Sequence, residues 1–131
     1  MRALPVLALT LLTSALPALA ETWLPPQEFA ALVDGKATRV TDAYGDSFGV
    51  EHFLPDRRVV WQYTADQSCL FGTWAPRRGA ICYRYDGGLE NCLRYKPTGA
   101  GLAGTEWNGG VEGETYTLQI IDAPPPRCPG T

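Results

Sequence analysis

Residues 69–92 read CLFGTWAPRRGAICYRYDGGLENC, and the alternation and turns within that stretch decide the fold. Ala80 to Tyr85 places Ile81, Tyr83 and Tyr85 on one face and Cys82 and Arg84 on the other, the period of two that belongs to a half-buried strand. After the turn-forming Asp86-Gly87-Gly88-Leu89-Glu90, the next run puts Leu93 and Tyr95 on one face with Cys92, Arg94 and Lys96 opposite. Cys82 and Cys92 therefore share a face of one hairpin. Four cysteines allow three connectivities, and this face argument favours Cys82 with Cys92, leaving Cys69 for Cys128. Chain entropy assigns roughly 2.7 kcal/mol to the short loop and roughly 4.3 kcal/mol to the long one. The long bond matters more, because it fastens a tail that prolines bar from a hydrogen-bonded ladder. Gly72, in the middle of the Cys69 to Trp74 run, is expected to mark a bulge or to leave room for an aromatic ring.

Outward from this stretch, further alternating runs span Ala37 to Ala43, Ser47 to Leu54, Val59 to Tyr63, Leu102 to Trp107 and Thr115 to Ile121. Turns are expected at Tyr44 to Asp46, Pro55 to Arg57, Asp66 to Ser68, Pro76 to Gly79, Pro97 to Gly101 and Asn108 to Gly110. One helix is expected over about residues 26–34. Proline suits its first turn, Phe29, Leu32 and Val33 form an apolar stripe, and Gly35 ends it in a left-handed conformation. At that length it is stable only if it docks against, or plugs, a sheet. The expected fold is mainly β: about eight short antiparallel strands in a meander that curls into a barrel or bent sheet, with one short N-terminal helix. The alternative is a two-sheet β-sandwich, which usually needs a longer crossing connection than Asn108 to Glu114.

Residues 1–20 read as a signal peptide: Arg2, an apolar run from Ala3 to Leu12, then Pro17-Ala18-Leu19-Ala20 before Glu21. Residues 21–131 are then one disulfide-stabilised β domain ending in a proline-rich tail over 122–131, periplasmic or secreted, with no membrane insertion after cleavage. The chain holds 11 Lys plus Arg against 14 Asp plus Glu, a balance that argues against nucleic acid or an anionic membrane as partner. The Arg57-Arg58 and Arg77-Arg78 pairs are too short to reverse it and sit beside turns.

Taken in order, Glu28-Phe29 with Gly35-Lys36, Pro55-Asp56-Arg57 to Trp61, Gly72-Thr73-Trp74, Ile81 to Tyr85, Cys92 to Tyr95 and Cys128-Pro129-Gly130 resemble a group of small exported alphaproteobacterial proteins of unknown function. The resemblance implies a periplasmic home and a disulfide-bonded β domain, and it carries over no catalytic residue.

The residues themselves offer little chemistry. His52 is the single histidine; Glu51 beside it points to the opposite face of a strand, so adjacency does not make them a pair. No nucleophile signature accompanies His52, and a structural or surface role is expected for it. Glu106, Glu112 and Glu114 flank a turn and read as solvated loop carboxylates, and Asp42 and Asp46 read as turn formers. No metal site and no cofactor are expected, since no cysteine or histidine pair has ligand spacing. Aromatic residues are the better lead: Trp61, Tyr63, Phe71, Trp74, Tyr83, Tyr85, Tyr95, Trp107 and Tyr116 fall on strands. A domain this small needs buried area, so the expected interior is filled. If a cavity exists instead, Trp61, Tyr63, Trp74, Tyr83, Tyr85 and Tyr95, with Arg84 or Arg94 at the rim, suit a small amphipathic or aromatic molecule. Two functions follow. The first is a non-enzymatic interaction module presenting Tyr44 to Phe48 and Ala75 to Gly79 to a periplasmic protein or envelope component; the second is a ligand-holding barrel.

Overall fold

The computed structural model describes residues 22–130, so the signal peptide expected over 1–20 lies outside the described residues. A short helix, α1 (Pro26–Val33), precedes eight strands: β1 (Ala37–Thr41), β2 (Ser47–Leu54), β3 (Arg58–Tyr63), β4 (Cys69–Arg77), β5 (Ala80–Tyr85), β6 (Glu90–Pro97), β7 (Leu102–Asn108) and β8 (Val111–Ile121). Each strand pairs antiparallel with the next, and β8 returns to β1 to close the barrel. Closure leaves no edge strand, and it rules out the two-sheet sandwich.

An up-and-down meander puts alternate connections at opposite ends. The β1–β2, β3–β4, β5–β6 and β7–β8 connections share one end; α1 and the remaining connections share the other. Phe29 of α1 is fully buried at that second end. It stacks on Tyr95 at 4.0 Å between ring centroids and meets Phe53 and Trp74 edge-on at 5.9 and 6.2 Å. With Val33 beside it in the core, the helix plugs the barrel as its apolar stripe requires. Gly35 follows at φ +70, the left-handed conformation that lets the chain leave a helix and enter a strand.

Several boundaries differ from expectation. β1 stops at Thr41, where Asp42 Oδ1 accepts from the N–H groups of Tyr44 and Asp46 and closes a turn. β4 runs on through Pro76 to Arg77, and the turn is only Arg78 and Gly79, both at positive φ, as a two-residue hairpin demands. Proline is tolerated there because β3 pairs with β4 only as far as Thr73, leaving Pro76 a neighbour on one side alone. β8 begins at Val111, directly after Gly109-Gly110, and the expected gap is strand. Gly72 is neither a bulge nor a space for a ring. Its register is continuous with Val59 and Tyr85, and a Cβ there would strike the Arg84 carbonyl of β5. Room for aromatic rings comes instead from Gly49, under Trp61, and Gly104, under Tyr95.

Two disulfides join Cys82 to Cys92 across β5–β6 and Cys69 to Cys128. The first links residues that face each other in register. The second, with Cα atoms 5.7 Å apart, holds the tail. The tail starts at Ile121, level with Ala37, His52, Val60 and Phe71 around the barrel, and is fastened at Cys69 and by Gln62 donating to the Arg127 carbonyl at 2.8 Å. It therefore crosses the outside of β1, β2 and β3. This explains why His52 and Val60, which point outward, are only 6 % and 4 % exposed.

Candidate functional site

The inward residues nearest α1 fill their half of the barrel: Phe53, Val59, Trp74, Ile81 and Leu102 pack with Phe29. The other half is open. A cavity of about 400 Å³ lies there, walled by Phe48, Trp61, Tyr63, Leu70, Tyr83, Tyr85, Tyr95, Tyr116 and Leu118 with Thr38 and Val40. The interior is thus half filled and half hollow, where the sequence suggested a filled core. The size falls within the range of small-molecule sites.

The structure divides the aromatic candidates. Trp61, Tyr63, Tyr83, Tyr85 and Tyr95 line the cavity, because β3, β5 and β6 present them at alternate inward positions. Trp74 sits in the filled core against Phe29 and Phe53, with Arg57 4.2 Å above its ring. Neither arginine reaches the rim. Arg84 points outward on β5 and meets Glu90 at 3.3 Å. Arg94 lies on the outside of β6, 3.4 Å above Trp107 and 4.7 Å from Trp23. Both follow the alternation: each is one residue from a tyrosine that faces in.

The polar centre is Glu51, which sequence reasoning placed only as a neighbour of His52. It is 4 % exposed and lines the cavity. Its Oε1 accepts from the Tyr85 hydroxyl at 2.8 Å, and its Oε2 has no hydrogen-bond partner among the described residues. Burial pushes its pKa up from the ordinary carboxyl range to about 8, against the opposing effect of the Tyr85 hydrogen bond. Tyr83 and Tyr95 share a hydrogen bond of 2.6 Å beside it. Burial raises both phenols above their usual range, and it raises Tyr85 as well, with the help of the Glu51 charge. The signal that finds Glu51 is its place in β2: Phe53 faces the core, so the residue two before it faces the same interior. His52 points the other way under the tail, and desolvation lowers its pKa.

Nearer the mouth, Tyr116 donates to Glu106 at 2.7 Å and lies 2.9 Å from Glu114. Glu106 is a strand residue on the cavity wall, not a solvated loop carboxylate. The β7–β8 register shifts between Thr105 and Trp107 and sets Glu106 opposite Gly113 and Glu114. Asn108 fixes the adjoining rim, accepting from the Cys92 N–H at 2.9 Å and donating to Asn91 at 2.8 Å. Potential ligand atoms of Cys82, Glu90 and Cys92 lie within 4.8 Å of one another, but both sulfurs belong to a disulfide and offer no thiolate.

The two segments expected to present a docking surface are apart. Tyr44 to Phe48 belongs to the open end, whereas Ala75 to Gly79 is the end of β4 and its hairpin at the plugged end. They form no common face. No family model, no curated protein and no solved structure matches the chain.

Proposed function

We propose that this chain is an exported, non-enzymatic binding barrel that holds one small amphipathic or aromatic molecule in the open half of its interior. The observation that carries this reading is the cavity of about 400 Å³ walled by aromatic rings in a barrel whose other half is filled. A domain of this size gains stability from every buried side chain, so a hollow that spends none of its volume on packing has a use. Its aromatic walls, with polar groups at Glu51, Glu106 and the tyrosine hydroxyls, match the usual lining of a ligand site. The two disulfides favour an oxidising compartment, periplasmic or extracellular.

Titration with N-phenyl-1-naphthylamine, a neutral dye that brightens in apolar surroundings, tests the reading. Saturable binding of one dye per chain is expected, with weakening by about tenfold or more when Leu70→Trp fills the wall. Non-saturable signal, or binding that ignores Leu70→Trp, contradicts it.

A further inference from the structure

The cavity wall is one-sided in charge. Glu51 and Glu106 line it and no Lys, Arg or His does, while Glu90 at the rim is already paired with Arg77 and Arg84 on the outer face. The connections at the open end carry Asp42, Asp46, Asp66 and Asp86 without a Lys or Arg among them, whereas Arg57 and Arg78 occupy turns at the plugged end. Turn chemistry accounts for some of these acids: Asp42 and Asp66 each close their own turn through Oδ1. It does not account for Glu51. A buried carboxyl oxygen without a partner carries an uncompensated desolvation cost; while Glu51 holds its proton that oxygen has no acceptor, and once Glu51 ionises the partner it lacks is a donor.

Resting on the binding-barrel reading, we propose that the molecule held is an organic cation, a small amine whose ammonium group is met by the Glu51 carboxylate and whose apolar body lies among Phe48, Trp61, Tyr63, Leu70 and Tyr116. Ammonium groups are attracted to the faces of tyrosine and tryptophan as well as to a carboxylate. An acidic mouth over low-dielectric walls draws cations inward and turns anions away. Around Glu51 the titratable groups are Tyr83 and Tyr85 from β5, Tyr95 from β6 and Tyr63 from β3, with Glu106 and Tyr116 across the cavity; Thr38 of β1 is uncharged. None supplies a competing positive charge. In the empty protein Glu51 keeps its proton up to about pH 8, so an arriving ammonium displaces that proton, and affinity rises with pH toward that value.

The test uses three molecules of one shape, phenethylammonium, 2-phenylethanol and phenylacetate, titrated by calorimetry against the mature chain and against Glu51→Gln. Phenethylammonium is expected to bind at least about tenfold tighter than the alcohol, with phenylacetate weakest, and the preference is expected to fall to about threefold or less in Glu51→Gln. Glu106→Gln, at the mouth, serves as the second variant should Glu51→Gln not fold, and it too is expected to reduce the preference. Equal binding of cation and alcohol, tighter binding of phenylacetate, or a preference untouched by the variants overturns the proposal while the naphthylamine dye still binds. Loss of the dye as well is the failure of the binding-barrel reading itself.

Discussion

Glu51 is the residue on which the account turns, and its protonation has a consequence for folding. The folded chain holds the Glu51 proton up to about pH 8, whereas an unfolded carboxyl releases it near 4.5. Between those values the native state binds more protons, so this contribution to stability is complete below the unfolded value, declines as pH rises through the window, and is level above it. His52 acts in the opposite sense, because its lowered pKa removes stability as pH falls through the ordinary histidine range. Comparison with Glu51→Gln separates the two. The variant is expected to melt progressively higher relative to the natural protein from about pH 5 to about pH 8; a melting difference that stays constant with pH contradicts the assignment. The inward tyrosines were legible from alternation alone, and so was the opposition of Glu51 and His52. The outward direction of Arg84 and Arg94 was legible in the same way. Two things were not: Glu51 as a cavity group needed Phe53 fixed as core, and Glu106 needed the irregular β7–β8 register.

At the scale of elements, α1, the tail and the glycine positions each carry a separable load. Phe29→Ala removes the ring that stacks on Tyr95 and is expected to cost about 3–5 kcal/mol by denaturant unfolding. Replacing Cys69 and Cys128 together with serine is expected to cost about 2–5 kcal/mol and to raise hydrogen exchange along β2 and β3 where the tail crosses; unchanged exchange there means the tail does not shield them. Gly104→Ala brings a methyl group 2.8 Å from the Tyr95 ring, which has some freedom to shift, for an expected cost of about 1–3 kcal/mol. Gly72→Ala meets the β5 backbone, which has less freedom, and is expected to cost more. Strand order and hairpins could be read from spacing, because each turn is local chemistry. The hollow could not, since alternation gives the direction of a side chain but not whether facing side chains meet.

As a whole molecule the chain is a barrel built in two halves, one closed by a helix and packed around Phe29, the other left open above Tyr83, Tyr95 and Glu51. Disulfides hold the wall and the tail, so the packed half supports the shape while the open half keeps its volume. Its four tryptophans stand at separate places in this plan: Trp61 on the cavity wall, Trp74 in the packed half, and Trp23 and Trp107 outside against Arg94. The most direct test is to follow their four indole N–H resonances while N-phenyl-1-naphthylamine is added. A saturable shift at Trp61, larger than at any other tryptophan, is expected. Shifts confined to Trp23 and Trp107, with Trp61 unmoved, would place binding on the outer surface and contradict the binding-barrel reading.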